Sequence, residues 1–172
     1  GSDPRFGTVR IYDLFREQQA VVMEWVNQPS LRQRLYNSHR FRNEQCGSKL
    51  EIAFHNLGGW LRKHHELPPL EHCVTRNTTR EDYLEAVGRF AKYLETHAGC
   101  AAQIQEFHRL IVAGAKEHLP TEIPTGQVHG DFAPRNAFID SNNRVTVFDT
   151  PGRFEAPIYE DIAKLLLTVK AS

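Results

Sequence analysis

The chain has 172 residues, 40% of them hydrophobic and 24% charged, with 21 basic side chains balancing 21 acidic ones. This is enough chain for one domain with a sizeable core, in an ordinary globular composition. The zero net charge removes the basic footprint of a nucleic-acid binder, and the densest apolar run, Lys164 to Val169, falls far short of the ~18–20 residues of a membrane span.

In chain order, Gly1-Ser2 reads as an expression remnant and is set aside. "TVRIYD" and "QAVVMEWV" are two β-rich runs joined by the polar "LFREQ", a hairpin pattern. Pro29 and Ser30 supply a helix start for "LRQRLYN". Leu50, Phe54, Leu57 and Leu61 then recur at the period of an amphipathic helix. The next helix, within "NTTREDYLEAVGRFAKYLETHAG", is capped by Thr78 or Thr79, with Glu81 or Asp82 completing a capping box and Gly99 marking its end. A further helix carries Ile104, Phe107 and Ile111 on one stripe and stops at Pro120. After Pro124 the period becomes that of strands: "QVHG", "AFID" and "RVTVFD", the last two joined by a turn in which Asn142 and Asn143 tolerate left-handed geometry. "YEDIAKLLLTVK" returns to helix.

Cys46, Cys73 and Cys100 are odd in number and form no CxxC pair, which excludes a disulfide framework and suits a reducing cytoplasm. Among the nine histidines, His64, His65 and His72 stand close to Cys73. A zinc site needs a recognised ligand spacing, and HExxH is absent. The expectation is that these are helix-terminal and loop histidines, with His64 and His65 well placed at a helix C-terminus.

The chemistry lies in "VHGDFAPRNAFIDSNNRVTVFD", Val128 to Asp149. Asp131 follows Gly130, which lets the backbone turn tightly, and precedes a loop stiffened by Pro134. Asn136 enters one strand of a hairpin and Asp149 leaves the other, so folding the hairpin brings them together across thirteen positions. An amide oxygen and a carboxylate are hard ligands suited to Mg²⁺. A carboxylate base beside such a site is what phosphoryl transfer needs, since the protein there positions a hydroxyl nucleophile and neutralises phosphate charge.

"HGDFAPRN" resembles the catalytic loop of the aminoglycoside phosphotransferase and choline-kinase-like superfamily, relatives of the protein kinases. "VFD" resembles its metal-binding Asp, "GRFEAPIYEDIAKLL" the segment that follows, and "AVVMEWVNQPSLRQRL" its hinge strand and next helix. The resemblance implies an α+β, protein-kinase-like fold. Residues 1–26 would be a remnant of the N-lobe sheet with the hinge, and 27–172 a mostly helical C-lobe core with a small catalytic β-hairpin. It implies ATP and Mg²⁺ as cofactors and a small-molecule hydroxyl as acceptor. Asp131 would be the catalytic base, Asn136 and Asp149 the Mg²⁺ ligands, and His129 a brace of the catalytic loop. Met23 would lie at the back of the adenine pocket, with the Glu24 carbonyl and Val26 amide pairing with the adenine edge. Asp161 would tie its helix to the catalytic loop. Arg135 would be free to touch phosphate or substrate, and Ala133 stands where protein kinases carry a lysine, favouring the small-molecule branch.

Two expected parts are missing: a Gly-rich phosphate loop and a strand lysine, none of the six lysines preceding the hinge. The expectation is therefore the middle of a longer kinase, with weak turnover by these residues alone. The competing readings are a pseudokinase or nucleotide-binding module without catalysis, and a metal-binding regulatory domain built on the histidines. Thr150 to Tyr159, just past the metal Asp, is placed to contribute to acceptor binding; the acceptor itself is left open.

Overall fold

A computed structural model of the protein describes residues 3–41, 44–150 and 154–170, with backbone alone at 38–41 and 44–48. Gly1 and Ser2, residues 151–153 of the Thr150 to Tyr159 segment and the side chain of Cys46 lie outside the described residues. The architecture is α+β, five helices with three small sheets among the described residues.

The first strand, β1 (Phe6–Thr8), is followed by the hairpin β2 (Ile11–Phe15) and β3 (Ala20–Met23). The run from Thr8 to Asp13, expected as one strand, is thus split between two sheets. The reason is tertiary: β1 pairs in parallel with β7 (Val145–Val147), which pairs antiparallel with β6 (Ala137–Ile139). Trp60 Nε1 donates to the Gly7 carbonyl at 3.0 Å. A Cβ on Gly59 would meet the Phe6 ring at 2.8 Å, so that glycine admits the strand. By pairing, residues 6–8 belong with the 137–147 hairpin. The β2–β3 hairpin stands apart, exposed on both faces.

Helix α1 (Leu31–Phe41) begins where Ser30 and Gln33 form a reciprocal cap: the Gln33 amide donates to Ser30 Oγ at 3.3 Å, and the Ser30 amide to Gln33 Oε1 at 2.9 Å. Helix α2 (Glu44–His65) presents Ala53, Leu57, Trp60 and Leu61 to the core. On the opposing hairpin, strand alternation turns Ala137, Ile139, Val145 and Val147 inward against them, with Leu31 and Phe132 closing the cluster. Each fully buried large aliphatic in this cluster contributes roughly 1.5–3 kcal/mol of transfer free energy. Polar ties fix the register between layers. Arg34 donates to the Ile139 carbonyl at 2.8 Å, and Asn56 Nδ2 to the Asn143 carbonyl at 2.9 Å. Asn143 takes the left-handed turn position, with φ 60°.

Helices α3 (Arg80–His97) and α4 (Ala101–His118) pack on each other as an antiparallel pair. Thr79 and Asp82 form the capping box of α3, and Gly99 follows its end with φ 67°. Two elements lack a local signal in sequence. The short β4 (Val74–Thr75) and β8 (Phe154–Pro157) exist because β8 is flanked by β4 in parallel and by β5 (Thr125–Val128) antiparallel. Strand β8 leads into α5 (Tyr159–Lys170), which brings the first turn of that helix back beside the residues that follow β5. No helix among the described residues is long and apolar enough to cross a membrane.

Candidate functional site

Three elements meet at the loop after β5. Strand β5 ends at Val128, and Gly130 turns the chain with φ 81°, a left-handed conformation that a side chain would resist. Asp131 follows, and a single 3-10 turn, Pro134–Asn136, feeds directly into β6. This turn folds Asn136 back onto Asp131: its Nδ2 donates to the Asp131 carbonyl at 2.9 Å and to Asp131 Oδ2 at 3.0 Å. Among the described residues, Asn136 Oδ1 accepts no hydrogen bond, which leaves it available to a cation.

The partner carboxylate arrives from β7. Ala137 pairs with Val147, and the Phe148 amide donates to the Asn136 carbonyl at 3.1 Å, so Asp149 is the next residue beyond the rung that holds Asn136. Asp149 has φ 63°, a conformation uncommon outside glycine, and is exposed. The hairpin therefore brings an amide oxygen and a carboxylate to one end, both hard donors.

His129 is fully buried and links the two halves of this site. Its Nε2 lies 3.0 Å from the Phe148 carbonyl, and the Asp131 amide lies 3.3 Å from its Nδ1. A carbonyl only accepts, so Nε2 carries the proton, and Nδ1 accepts from Asp131. One ring thus ties the backbone of Asp131 to the residue before Asp149.

Asp161, in the first turn of α5, holds the loop from the other side. Its Oδ2 accepts from the His129 amide at 2.8 Å and its Oδ1 from the Gly130 amide at 2.9 Å. His65 Nε2, at the end of α2, lies 3.0 Å from Asp161 Oδ2. Burial pushes this carboxyl up, but the hydrogen bonds from His65, His129 and Gly130 outweigh it and hold it below the ordinary carboxylate value. His65 is therefore no solvated helix-end histidine; its partner is 96 residues away, and no local pattern could have found it. His64 is buried as well, stacked on Trp60 with ring centroids 4.9 Å apart. Among the described residues, no group of three His, Cys, Asp or Glu side chains is arranged to hold a metal.

The Asp131 carboxylate faces two cations. Arg135, four residues on, pairs with Oδ2, and Lys164 Nζ on α5 lies 3.4 Å from Oδ1. Burial raises its pKa, yet Asn136, Arg135 and Lys164 together hold it below the usual carboxylate value. It is ionised and still one-third exposed, a bound acceptor that a ligand can reach. Lys164 was missed in sequence because it stands 33 positions away. Its offset of three from Asp161 explains its reach: the turn of helix that anchors the loop also aims the lysine.

Beside the loop opens a cleft of about 1130 Å³, lined by Trp25 to Ser30, the exposed face of α1, Arg135 and Phe138. A smaller recess on its β side, about 180 Å³, adds Glu24 and Thr146 and shares Phe138. Phe138 points away from the core, as alternation on β6 demands, and forms a floor beneath the 24–28 segment. The Glu24 amide is used internally, donating to the Arg10 carbonyl at 2.8 Å. Among the described residues, the Glu24 carbonyl and Val26 amide have no backbone partner. Met23 lines neither space and is half exposed at the end of β3.

The arrangement thus puts an ionised carboxylate at Asp131, two residues with hard oxygen donors, Asn136 and Asp149, at one end of the hairpin, and the Phe138 ring beneath the 24–28 segment. No curated protein matches the chain at a similarity that shows kinship. The sequence model of the phosphotransferase enzyme family matches residues 7–170, nearly the whole chain, and the protein belongs to that family.

Proposed function

We propose that the protein is an ATP-dependent kinase of a small-molecule hydroxyl, built on a protein-kinase-like fold. In this reading residues 1–26 supply the N-lobe part and the hinge, except that strand 6–8 is paired to the C-lobe hairpin, and residues 27–172 supply the C-lobe core. The observation that carries the reading is the Asp131–Asn136 contact at the mouth of a hairpin whose other strand ends in Asp149. Asp131 accepts the proton of the acceptor hydroxyl as that oxygen attacks the terminal phosphorus. Arg135 stands beside it. Asn136 Oδ1 and the Asp149 carboxylate would hold Mg²⁺, which when bound supplies charge neutralisation for the transferred phosphoryl group. His129 and Asp161 hold the loop in register, which matters because the chemistry is mostly positioning. The adenine edge pairs with the Glu24 carbonyl and Val26 amide in the recess on the β side, over Phe138 as floor, which leaves the larger cleft to the acceptor, with Met23 behind the hinge rather than in the pocket lining.

The test is Mg²⁺-dependent binding of ATP followed by phosphate transfer to a panel of hydroxyl compounds. Asp131→Asn should lower transfer by about 10²–10⁴ while nucleotide binding persists. Nucleotide binding without Mg²⁺ dependence, or transfer unaffected by that substitution, refutes the reading.

One observation favours a nucleotide-binding module without catalysis: among the described residues every lysine lies on a helix, so no strand lysine faces a phosphate. Tight Mg·ATP binding with no transfer to any of the hydroxyl compounds selects that alternative.

A further inference from the structure

Lys164 has no role in the kinase reading, Arg135 has only that of touching phosphate or substrate, and the composition of the adjoining cleft is unused. Arg135 and Lys164 come from different elements, a loop turn and α5, and converge on opposite oxygens of one carboxylate. One negative charge thus meets two positive ones. When an acceptor hydroxyl donates to Asp131, it competes with those cations for the same two oxygens, and they then require another anionic partner.

The cleft leading to Arg135 carries the same bias. Its described lining holds Arg32 and Arg135 but neither Asp nor Glu. The remaining polar groups include the side-chain amides of Asn27, Gln28, Gln33 and Asn37, which suit hydroxyl groups. Trp25 and Tyr36 offer exposed aromatic faces, Trp25 being 86% exposed. An ammonium-rich acceptor finds no carboxylate in this lining and meets two cations at the reacting end. Glu24 and Asp140 line only the recess on the β side, where Arg144 accompanies them.

From this we propose that the acceptor is a polyhydroxylated small molecule bearing an anionic oxyacid group, and that Arg135 and Lys164 select it by binding that group beside Asp131. The proposal rests on the kinase reading above, with Asp131 at the reacting hydroxyl. Arg135 offers a planar fork and Lys164 a point charge, a pairing suited to a carboxylate or a phosphate monoester. The transfer balances simply: the acceptor oxygen forms a bond to the terminal phosphorus of ATP, the bond to the bridging oxygen breaks, ADP leaves, and the hydroxyl proton passes to Asp131.

The test is calorimetric titration of the protein, first with Mg·AMP-PNP and then, at saturation, with matched acceptors. These are D-glucose, D-glucosamine, D-gluconate and D-glucose 6-phosphate. At least one of the two acids should bind tenfold or more tightly than glucose, and glucosamine most weakly. Whichever acid is preferred distinguishes a carboxylate from a phosphate. Arg135→Gln and Lys164→Met, on separate elements, should each erase most of that preference. Acids binding no better than glucose, with Mg·AMP-PNP binding intact, overturns the acceptor class alone. Substitutions that weaken Mg·AMP-PNP and leave the acid preference standing overturn the selective role and give both cations to the nucleotide phosphates. Absence of Mg·AMP-PNP binding in the unsubstituted protein overturns the kinase reading and this inference with it.

Discussion

His65 at the C-terminal end of α2 and Asp161 in the first turn of α5 share a buried contact of 3.0 Å, and the same carboxylate accepts two backbone amides of the loop that carries Asp131. The start of the loop that carries Asp131 is therefore anchored to one carboxylate that two helices hold in place. Removing that charge leaves two loop amides and one imidazole competing for a weaker acceptor.

Asp161→Asn should destabilise the fold by about 3 kcal/mol, as expected for breaking a buried, fully bonded charge. The native carboxyl lies below its ordinary value of 3.8, so its contribution is complete above that value and disappears as pH falls through the lower native value. Urea unfolding at several pH values checks both points, because the variant should lose this part of the acid dependence. An unchanged unfolding midpoint at pH 7 contradicts the assignment.

His64 gives a second pH dependence, at higher pH. Burial against Trp60 and the neighbouring His129 lowers its pKa below 6.5, as does His65, while Asp161 pulls the other way. Its Nε2 is buried without a hydrogen-bond partner. The unfolded chain therefore takes up a proton near 6.5 that the folded protein resists, and stability should fall as pH drops from 7 toward 5. His64→Phe retains a ring on Trp60 and should flatten that slope in thermal melts, with little loss at pH 7.

A purely steric prediction concerns Gly126. A Cβ there would lie 2.5 Å from the His65 carbonyl oxygen, a backbone atom that cannot swing aside. Gly126→Ala should cost about 1–3 kcal/mol and disturb the His65–Asp161 contact. Chemical denaturation measures the first, and imidazole chemical shifts of His65 the second.

At Asp149 the backbone is left-handed, and Asn tolerates that conformation better than most residues. Asp149→Asn thus removes a ligand charge while sparing the turn. The Mg²⁺ concentration giving half-maximal nucleotide binding should rise about tenfold or more, with the melting temperature near that of the parent. A shift in melting temperature without a change in Mg²⁺ dependence argues for a structural role instead.

Local chemistry made much of this legible in the sequence. The α2 stripe of Leu57 and Leu61, the Thr79–Asp82 cap and the Asn143 turn each depend on residues within a few positions. The neighbouring placement of Asn136 and Asp149 followed from hairpin geometry alone. What stayed hidden depends on distant pairing. Strand β8 contains Pro157 and has no alternation of its own; β4 and β5 define it. Lys164 and His65 read as ordinary helix-surface residues until the packing of α5 against the loop brings them to Asp131 and Asp161. Thr8 was separated from Ile11 because the β7 edge and Trp60 captured it.

The parallel pairing of β1 with β7 has a mechanical meaning. Thr8 is in register with Val147, two residues before Asp149, while Ile11, three residues past Thr8, begins the hairpin that ends at the 24–28 segment. The same short stretch of chain is thus tethered to both walls of the cleft. A tilt of the β2–β3 hairpin would be transmitted along this tether to the strand beneath Asp149, so the span of the opening and the position of the Asp149 carboxylate vary together.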